Sequence, residues 1–230
     1  MFSNFDFDVI RRSLGYLFFD GMTFTLTLTA LSAVGGLVLG TLLALMRLSG
    51  FKLLGRIAGL YVDLMRSLPL VLVIFWFYFL VPYIGQWITG ASRPIQVGAF
   101  LSALVTFTLF EAAYFCEIMR AGIQSIPRGQ VQAAQALGMT YWTAMGEIIL
   151  PQAFRNMVPV LLTQTIILFQ DTSLVYVISV TDFFGAASKV AQRDGRLVEM
   201  YLFAAAVYFI ISLAASFWVR RLQHRVAIIR

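Results

Sequence analysis

Cysteine, histidine and charge are scarce in this sequence. Cys116 and His224 are the only residues of their types, and charged residues make up 12% of the chain. A single cysteine can form no internal disulfide and no cysteine metal cluster. Together the two residues leave almost no material for metal-site chemistry or for Ser/His and Cys/His catalysis. A phosphate loop of the form G-x-x-x-x-G-K-[ST] is also missing, so the chain cannot hydrolyse ATP by that route.

Hydrophobic residues, by contrast, make up 60% of the 230 residues. A soluble globule of this size must keep a polar exterior and could not bury so much apolar surface. The formal charge of +6 does not indicate nucleic-acid binding, because the basic residues are scattered between apolar runs. The sequence therefore predicts a single all-α domain in a lipid membrane.

Five apolar runs are long enough to span a bilayer, which takes about 20 residues in a helix. They cover residues 22–46, 57–81, 97–119, 154–180 and 198–219. We expect a transmembrane domain over residues 21–220 and a basic tail over residues 221–230. Residues 1–20, polar and aromatic, fit an N-terminal interfacial segment. The alternative is a cleaved signal peptide, whose apolar core is shorter than the first run.

Lysine and arginine predict the orientation, because they favour the cytoplasmic side of a membrane. One side holds ten of them: Arg47, Lys52, Arg56, Arg120, Arg128, Arg155, Arg220, Arg221, Arg225 and Arg230. The opposite side holds six: Arg11, Arg12, Arg93, Lys189, Arg193 and Arg196. We therefore expect the amino terminus outside, the carboxyl terminus inside and residues 120–155 in the cytoplasm.

The cytoplasmic segment 128–151 has the pattern of a helix, a sharp turn and a second short helix. Residues 130–137 are rich in helix formers, and Gly138 suits the left-handed residue that ends a helix. Thr140 can cap the next helix, and Pro151 can open the one after it. Alanines at positions 133, 134 and 136 leave a thin surface that another backbone can approach closely.

This segment resembles the EAA motif of ATP-binding-cassette importer permeases. Gln132-Ala133-Ala134, Gly138 and Ile148-Ile149-Leu150-Pro151 match its spacing, with Gln132 in place of the usual glutamate. An ordinary helical loop is the alternative. Elements such as Arg66-Ser67-Leu68-Pro69-Leu70 are similar to the polar amino-acid (histidine/glutamate/aspartate) subfamily. The pattern in residues 110–114 and 169–174 is most like glutamate/aspartate permeases.

The resemblance implies the type I importer permease fold in a bacterial inner membrane. The implied function is ATP-driven import of a polar amino acid by alternating access, with glutamate or aspartate favoured and glutamine or a basic amino acid as alternatives. The chain would be no enzyme and hold no cofactor. Its implied partners are a second permease subunit, the same or different, an ATPase dimer carrying ATP and Mg²⁺, and a periplasmic amino-acid-binding protein. The residues implied to couple to the ATPase are Gln132, Ala133, Ala134, Gly138 and Met139.

Ionisable residues inside a bilayer cost at least about 2–3 kcal/mol and are candidate functional residues. Counted along their helices, Arg66, Glu111 and Asp171 all reach the middle of the membrane. An amino acid needs a cation for its carboxylate and an anion for its ammonium group. We therefore expect Arg66 to bind a carboxylate and Glu111 or Asp171 to bind the ammonium. The predicted hydrogen-bonding residues are Gln170, Thr172 and Ser173.

Other residues in the spans fit gating or structural roles. Glu117 and Arg120 lie three apart and can pair on one helix face, and Pro69 can loosen the second span beside Arg66. A purely structural ion network of Arg66, Glu111 and Asp171 is the competing interpretation. The charged segment 181–199 suits contact with an external binding protein, and equally a solvated loop. An ion-coupled secondary transporter or a membrane enzyme would need internal repeats or a catalytic constellation, and the sequence has neither.

Overall fold

The computed structural model describes residues 5–226, with side chains as far as Gln223, as helices joined by short segments. Residues 1–4 of the N-terminal segment and 227–230 of the tail lie outside the described part. In chain order the helices are α1 Phe7–Leu48, α2 Lys52–Ser67, α3 Leu70–Thr89, α4 Ala99–Gln124, α5 Arg128–Ala136, α6 Tyr141–Ile178, α7 Phe183–Asp194 and α8 Leu197–Val226.

Five of these helices, α1, α3, α4, α6 and α8, are long and apolar enough to cross a membrane. This confirms the all-helical membrane class and the number of spans predicted from the sequence. The most buried of them is α4, with 56% of its span inside the protein, against 11–33% for the others. The other four spans therefore turn most of their apolar surface outward, towards lipid or a partner subunit.

The second predicted span, residues 57–81, is wrong as a single helix. The chain instead forms α2, an interruption at Leu68 and Pro69 with extended backbone angles, and then α3. Pro69 explains the interruption, because its ring disfavours helical geometry at the preceding residue. Val62 shares a core cluster with Ala113 of α4, whereas Leu70 lies in the cluster that contains residues of the first half of α4. The interruption is therefore level with the middle of α4.

The first span is longer than predicted. Residues 7–20 are helical and run without a break, through a wider π-helical turn at Tyr16–Met22, into the apolar part of α1. Ion pairs anchor this end to the corner between α7 and α8. Arg12 pairs with Asp194 at 3.1 Å, and Arg196 pairs with Asp6 at 3.7 Å. The segment predicted to lie at the interface is thus fixed to the rest of the bundle.

Helix α7 packs across the same end of the molecule. Its N-cap, Asp182, accepts hydrogen bonds from the backbone N–H of Phe184 at 3.0 Å and of Gly185 at 2.9 Å. The N–H of Phe183 donates to the Thr25 hydroxyl of α1 at 3.0 Å. Burial raises the pKa of Asp182 to about 6. The charged segment 181–199 is therefore a packed helix that follows a capped turn, rather than a solvated loop.

The tightest helix pair joins α1 to α4. A Cβ added at Gly40 would lie 2.8 Å from the Cβ of Phe115 and 2.9 Å from the carbonyl oxygen of Ala112. A Cβ at Gly36 would lie 2.9 Å from the Cβ of Glu111. These glycines let the two backbones approach closely, as small residues do in membrane helix pairs.

We expect Gly40→Ala to destabilise the protein by about 1–3 kcal/mol, because the new methyl group overlaps the α4 backbone. Gly59→Ala on α2 is the matched control, since nothing lies within 4 Å of that position and helical alanine is favoured over glycine. Thermal unfolding in detergent should show a lower Tm for Gly40→Ala only. Equal Tm values for the two variants would contradict the close packing.

Candidate functional site

Arg66 lies at the end of α2, just before the interruption in the second span. Its side chain is 44% exposed, and its guanidinium is 5.4 Å from the centre of the Tyr114 ring on α4. Its nearest carboxylate is Glu117, where Nη1 and Oε2 are 3.9 Å apart. This exceeds hydrogen-bonding distance, so the guanidinium is held loosely.

Glu117 is the centre of a cluster of three arginines from three helices. Its carboxylate pairs with Arg47 of α1, with Arg66 of α2 and, at 2.6 Å, with Arg120 of its own helix. The pairing of Glu117 with Arg120 follows the predicted three-residue spacing. Arg47 was not predicted as part of this cluster, because the sequence placed it in a loop beyond the first span. In the structure α1 continues to Leu48, so Arg47 lies on its last turn.

Glu111 lies six residues before Glu117 on α4, nearly two turns away, and is fully buried. The side-chain amide of Gln164 on α6 donates to its two carboxylate oxygens at 3.3 and 3.2 Å. Among the side chains that the structure describes, those of residues 5–223, no lysine or arginine forms an ion pair with Glu111. The sequence did not predict a role for Gln164. The only indication was that an uncharged polar residue lies within an apolar run.

The Tyr114 side chain connects the predicted site residues. The Arg66 guanidinium lies over its ring, and Glu111 lies three residues before it on α4. Tyr114 also packs against the core cluster that contains Leu168 and Val175, which flank Asp171 on α6. The three charged residues predicted at mid-membrane therefore lie on neighbouring segments of α2, α4 and α6.

Asp171 lies where α6 changes from α-helical to 3₁₀ geometry. Gln170 beside it is exposed, and Ser173 is half-buried. Thr172 is fully buried, and its hydroxyl donates to the carbonyl of Phe169 at 2.7 Å. Gln170 and Ser173 can therefore face an open pathway, whereas Thr172 is engaged inside the bundle.

Residues 128–151, called the coupling segment after the role that the resemblance implies, contain the predicted turn. Gly138 has a left-handed backbone, with φ of +75°. Its N–H donates to the carbonyl oxygen of Gln135 at 2.9 Å, and the Met139 N–H donates to the carbonyl oxygen of Ala134 at 3.1 Å. These two bonds form the Schellman motif that ends α5. Thr140 then caps the next helix by accepting from the Thr143 N–H at 3.3 Å.

One feature of this segment differs from the prediction. The second short helix does not end before Pro151, because α6 runs unbroken from Tyr141 through a π-helical turn at Met145–Ile149 into the fourth span. Ala134 is buried, whereas Gln132, Ala133 and Gly138 are exposed. Leu137 and Trp142, both 80% exposed, form an apolar surface on either side of the turn.

Within the described residues, no group of three histidine, cysteine, aspartate or glutamate side chains could hold a metal ion.

Comparisons with known proteins agree on one family. The family model described as "Binding-protein-dependent transport system inner membrane component" matches residues 36–228. The chain is 55% identical to the glutamate/aspartate import permease protein GltK of Escherichia coli O6:H1, over 97% of this chain and 99% of that protein. It is 32% identical to the glutamine transport system permease protein GlnP of Escherichia coli K12, over 98% of this chain and 99% of that protein.

A solved structure has the same fold. The chain is similar to a protein in the crystal structure of an amino acid ABC transporter with histidines, with a TM-score of 0.86 and 31% identity. The match covers 96% of this chain and 98% of that one.

Proposed function

The chain belongs to the family of inner-membrane components of binding-protein-dependent transport systems, and we propose that it is the permease subunit of an ATP-driven importer of glutamate and aspartate. The observation that carries this proposal is the 55% identity to a glutamate/aspartate import permease across nearly the whole chain. The Arg66 guanidinium over the ring of Tyr114, on the helix that carries the buried Glu111, supports it independently.

The chain works as one part of a larger assembly. A second permease subunit, identical or homologous, completes the pathway, since α1, α3, α6 and α8 leave most of their surface uncovered. Two ATPase chains bind and hydrolyse ATP with Mg²⁺, and a periplasmic binding protein delivers the amino acid. The complex lies in a bacterial inner membrane, with the amino terminus outside and the coupling segment in the cytoplasm, as the arginine distribution favours.

The coupling segment binds a groove on the ATPase. Gln132, Ala133, Gly138 and Met139 form the thin face of the turn, with Ala134 beneath it, and Leu137 and Trp142 supply exposed apolar contacts beside it. Because α6 is continuous, movement of the ATPase at Trp142 is transmitted to Asp171 at the other end of the same helix. ATP binding and hydrolysis thereby alternate the access of the pathway.

The substrate binds beside the interruption in the second span. Arg66 binds a carboxylate, and Asp171 binds the ammonium group with Glu111 behind it. Gln170 and Ser173 donate hydrogen bonds, and Thr172 supports the turn that positions them. Pro69 permits the change in direction that exposes Arg66.

Uptake by the assembled complex in vesicles tests the function. We expect ATP-dependent accumulation of glutamate in the presence of the binding protein, with aspartate competing more strongly than glutamine or arginine. Stronger competition by glutamine would instead favour glutamine transport, the activity in the name of the 32% identical relative. Uptake that persists without ATP and follows an ion gradient would overturn the importer mechanism.

Arg66→Gln should weaken glutamate uptake about 10-fold or more, because a hydrogen bond to a charged group contributes about 1.5–3 kcal/mol. Arg56→Gln is the matched control, because Arg56 is an exposed arginine on the same helix. The measurement is concentration-dependent uptake by folded, assembled complexes. If both variants keep the parent's affinity, Arg66 has a structural role with Glu117 instead.

Trp142→Ala should weaken ATPase binding roughly 5- to 30-fold, because buried tryptophans at protein interfaces typically contribute about 1–2 kcal/mol or more. Trp87→Ala is the control, since Trp87 is 85% exposed on α3, outside the coupling segment. Titration of the purified ATPase onto the permease in detergent provides the affinity. Equal affinities for the two variants would remove this surface from the coupling interface.

A further inference from the structure

A cavity of about 430 Å³ lies between α2, α4 and α6, on the side of Arg66 nearer to the coupling segment. Its polar lining is Arg66, Glu117, Ser125 and Asn156, and the rest of its wall is small or apolar. The amide nitrogen of Asn156 donates to the Ser125 hydroxyl at 2.9 Å at the end of α4, directly before α5. This cavity therefore lies between the proposed substrate site and the cytoplasmic segment.

The charge around this cavity is unbalanced. Three guanidinium groups surround the Glu117 carboxylate, so the cluster of Arg47, Arg66, Arg120 and Glu117 carries a net positive charge, even when the neighbouring Asp63 of α2 is counted. Arg47 and Arg120 make the close contacts with Glu117, and Arg120 also donates to Gln124 at 2.7 Å. Arg66 has the longest of the three ion pairs and the most exposed side chain, 44% against 20% and 30%.

We propose that this cavity is a transient exit subsite for a carboxylate of the substrate, in which Arg66 exchanges Glu117 for that carboxylate. The inference rests on the proposed function and deepens it by assigning the acidic substrate a second binding position. Glu117 competes for the same guanidinium, so the carboxylate is bound weakly enough to leave. A transport pathway requires this balance between entry and release.

The cluster also provides selectivity for an acidic side chain. A dicarboxylate can contact the positive cluster with one carboxylate while the other remains near the Tyr114 level. Glutamine has the same length but only one carboxylate, so it cannot make both contacts. Selectivity against a neutral analogue of equal size then comes from charge, because the shape of a cavity this large cannot distinguish the two molecules.

Thiol labelling at the cavity tests the proposal. Cys116 is the only cysteine and is buried, so Cys116→Ala gives a background in which Asn156→Cys is the single thiol of this chain. The assembled complex in nanodiscs is treated with N-ethylmaleimide at constant ionic strength. Mass spectrometry measures the rate at which this chain is modified. Gly50→Cys is the control, because nothing lies within 4 Å of that position.

We expect glutamate and aspartate to slow modification of Asn156→Cys several-fold, with little effect of glutamine and no effect of any amino acid at Gly50→Cys. Adding Arg47→Gln should abolish the protection, because Glu117 can then pair fully with Arg66. Adding Glu117→Gln should increase the protection while slowing net transport, because the carboxylate is no longer displaced. Ser125→Cys repeats the test if the first thiol variant does not assemble.

Equal protection by glutamate and glutamine, or protection unchanged by Arg47→Gln, would overturn the exit subsite. Vesicle uptake with the same preparations separates this result from the proposed function. Intact ATP-dependent glutamate uptake without protection would reject the subsite alone, whereas absence of uptake by the parent complex would reject the importer assignment.

Discussion

A charge within a bilayer must find its counter-charge inside the protein, and Glu117 meets this requirement for three helices at once. Its carboxylate contacts Arg47 of α1, Arg66 of α2 and Arg120 of α4. Loss of this carboxylate would remove the ion-pair partner that the three arginines share. Glu117 therefore helps to hold α1, α2 and α4 together at this level.

Two of these helices, α1 and α4, are also held together by a constraint of shape. Gly36 and Gly40 allow α1 to lie directly against α4, and this contact brings Arg47 close enough to reach Glu117. Close packing thus determines the geometry of the charges. Arg66 is the exception, since the interruption at Pro69 frees the end of α2 from continuous helical bonding.

Much of this architecture could be predicted from the sequence because it depends on local signals. Apolar runs gave the number of spans, and Gly138 and Thr140 gave the turn and cap of the coupling segment. Long-range contacts carried no such signal. The hydropathy averaged over residues 57–81 is high, so it does not reveal the interruption at Pro69. No pattern of neighbouring residues indicates that Arg47 contacts Glu117 or that Gln164 contacts Glu111. The predicted charged residues lie on neighbouring helix segments. In the proposed assembly, which of them the substrate touches also depends on the second permease subunit.

The continuity of α6 has a mechanical consequence. From Tyr141 to Asp171 this helix covers 30 residue steps, a length of roughly 45 Å, against roughly 30 Å for the hydrocarbon core of a membrane. A rod of this length acts as a lever, so a small tilt at Tyr141 becomes a displacement of several ångströms at Asp171. Because Pro159 cannot donate a backbone hydrogen bond within this rod, bending there would determine how much of the tilt reaches the far end.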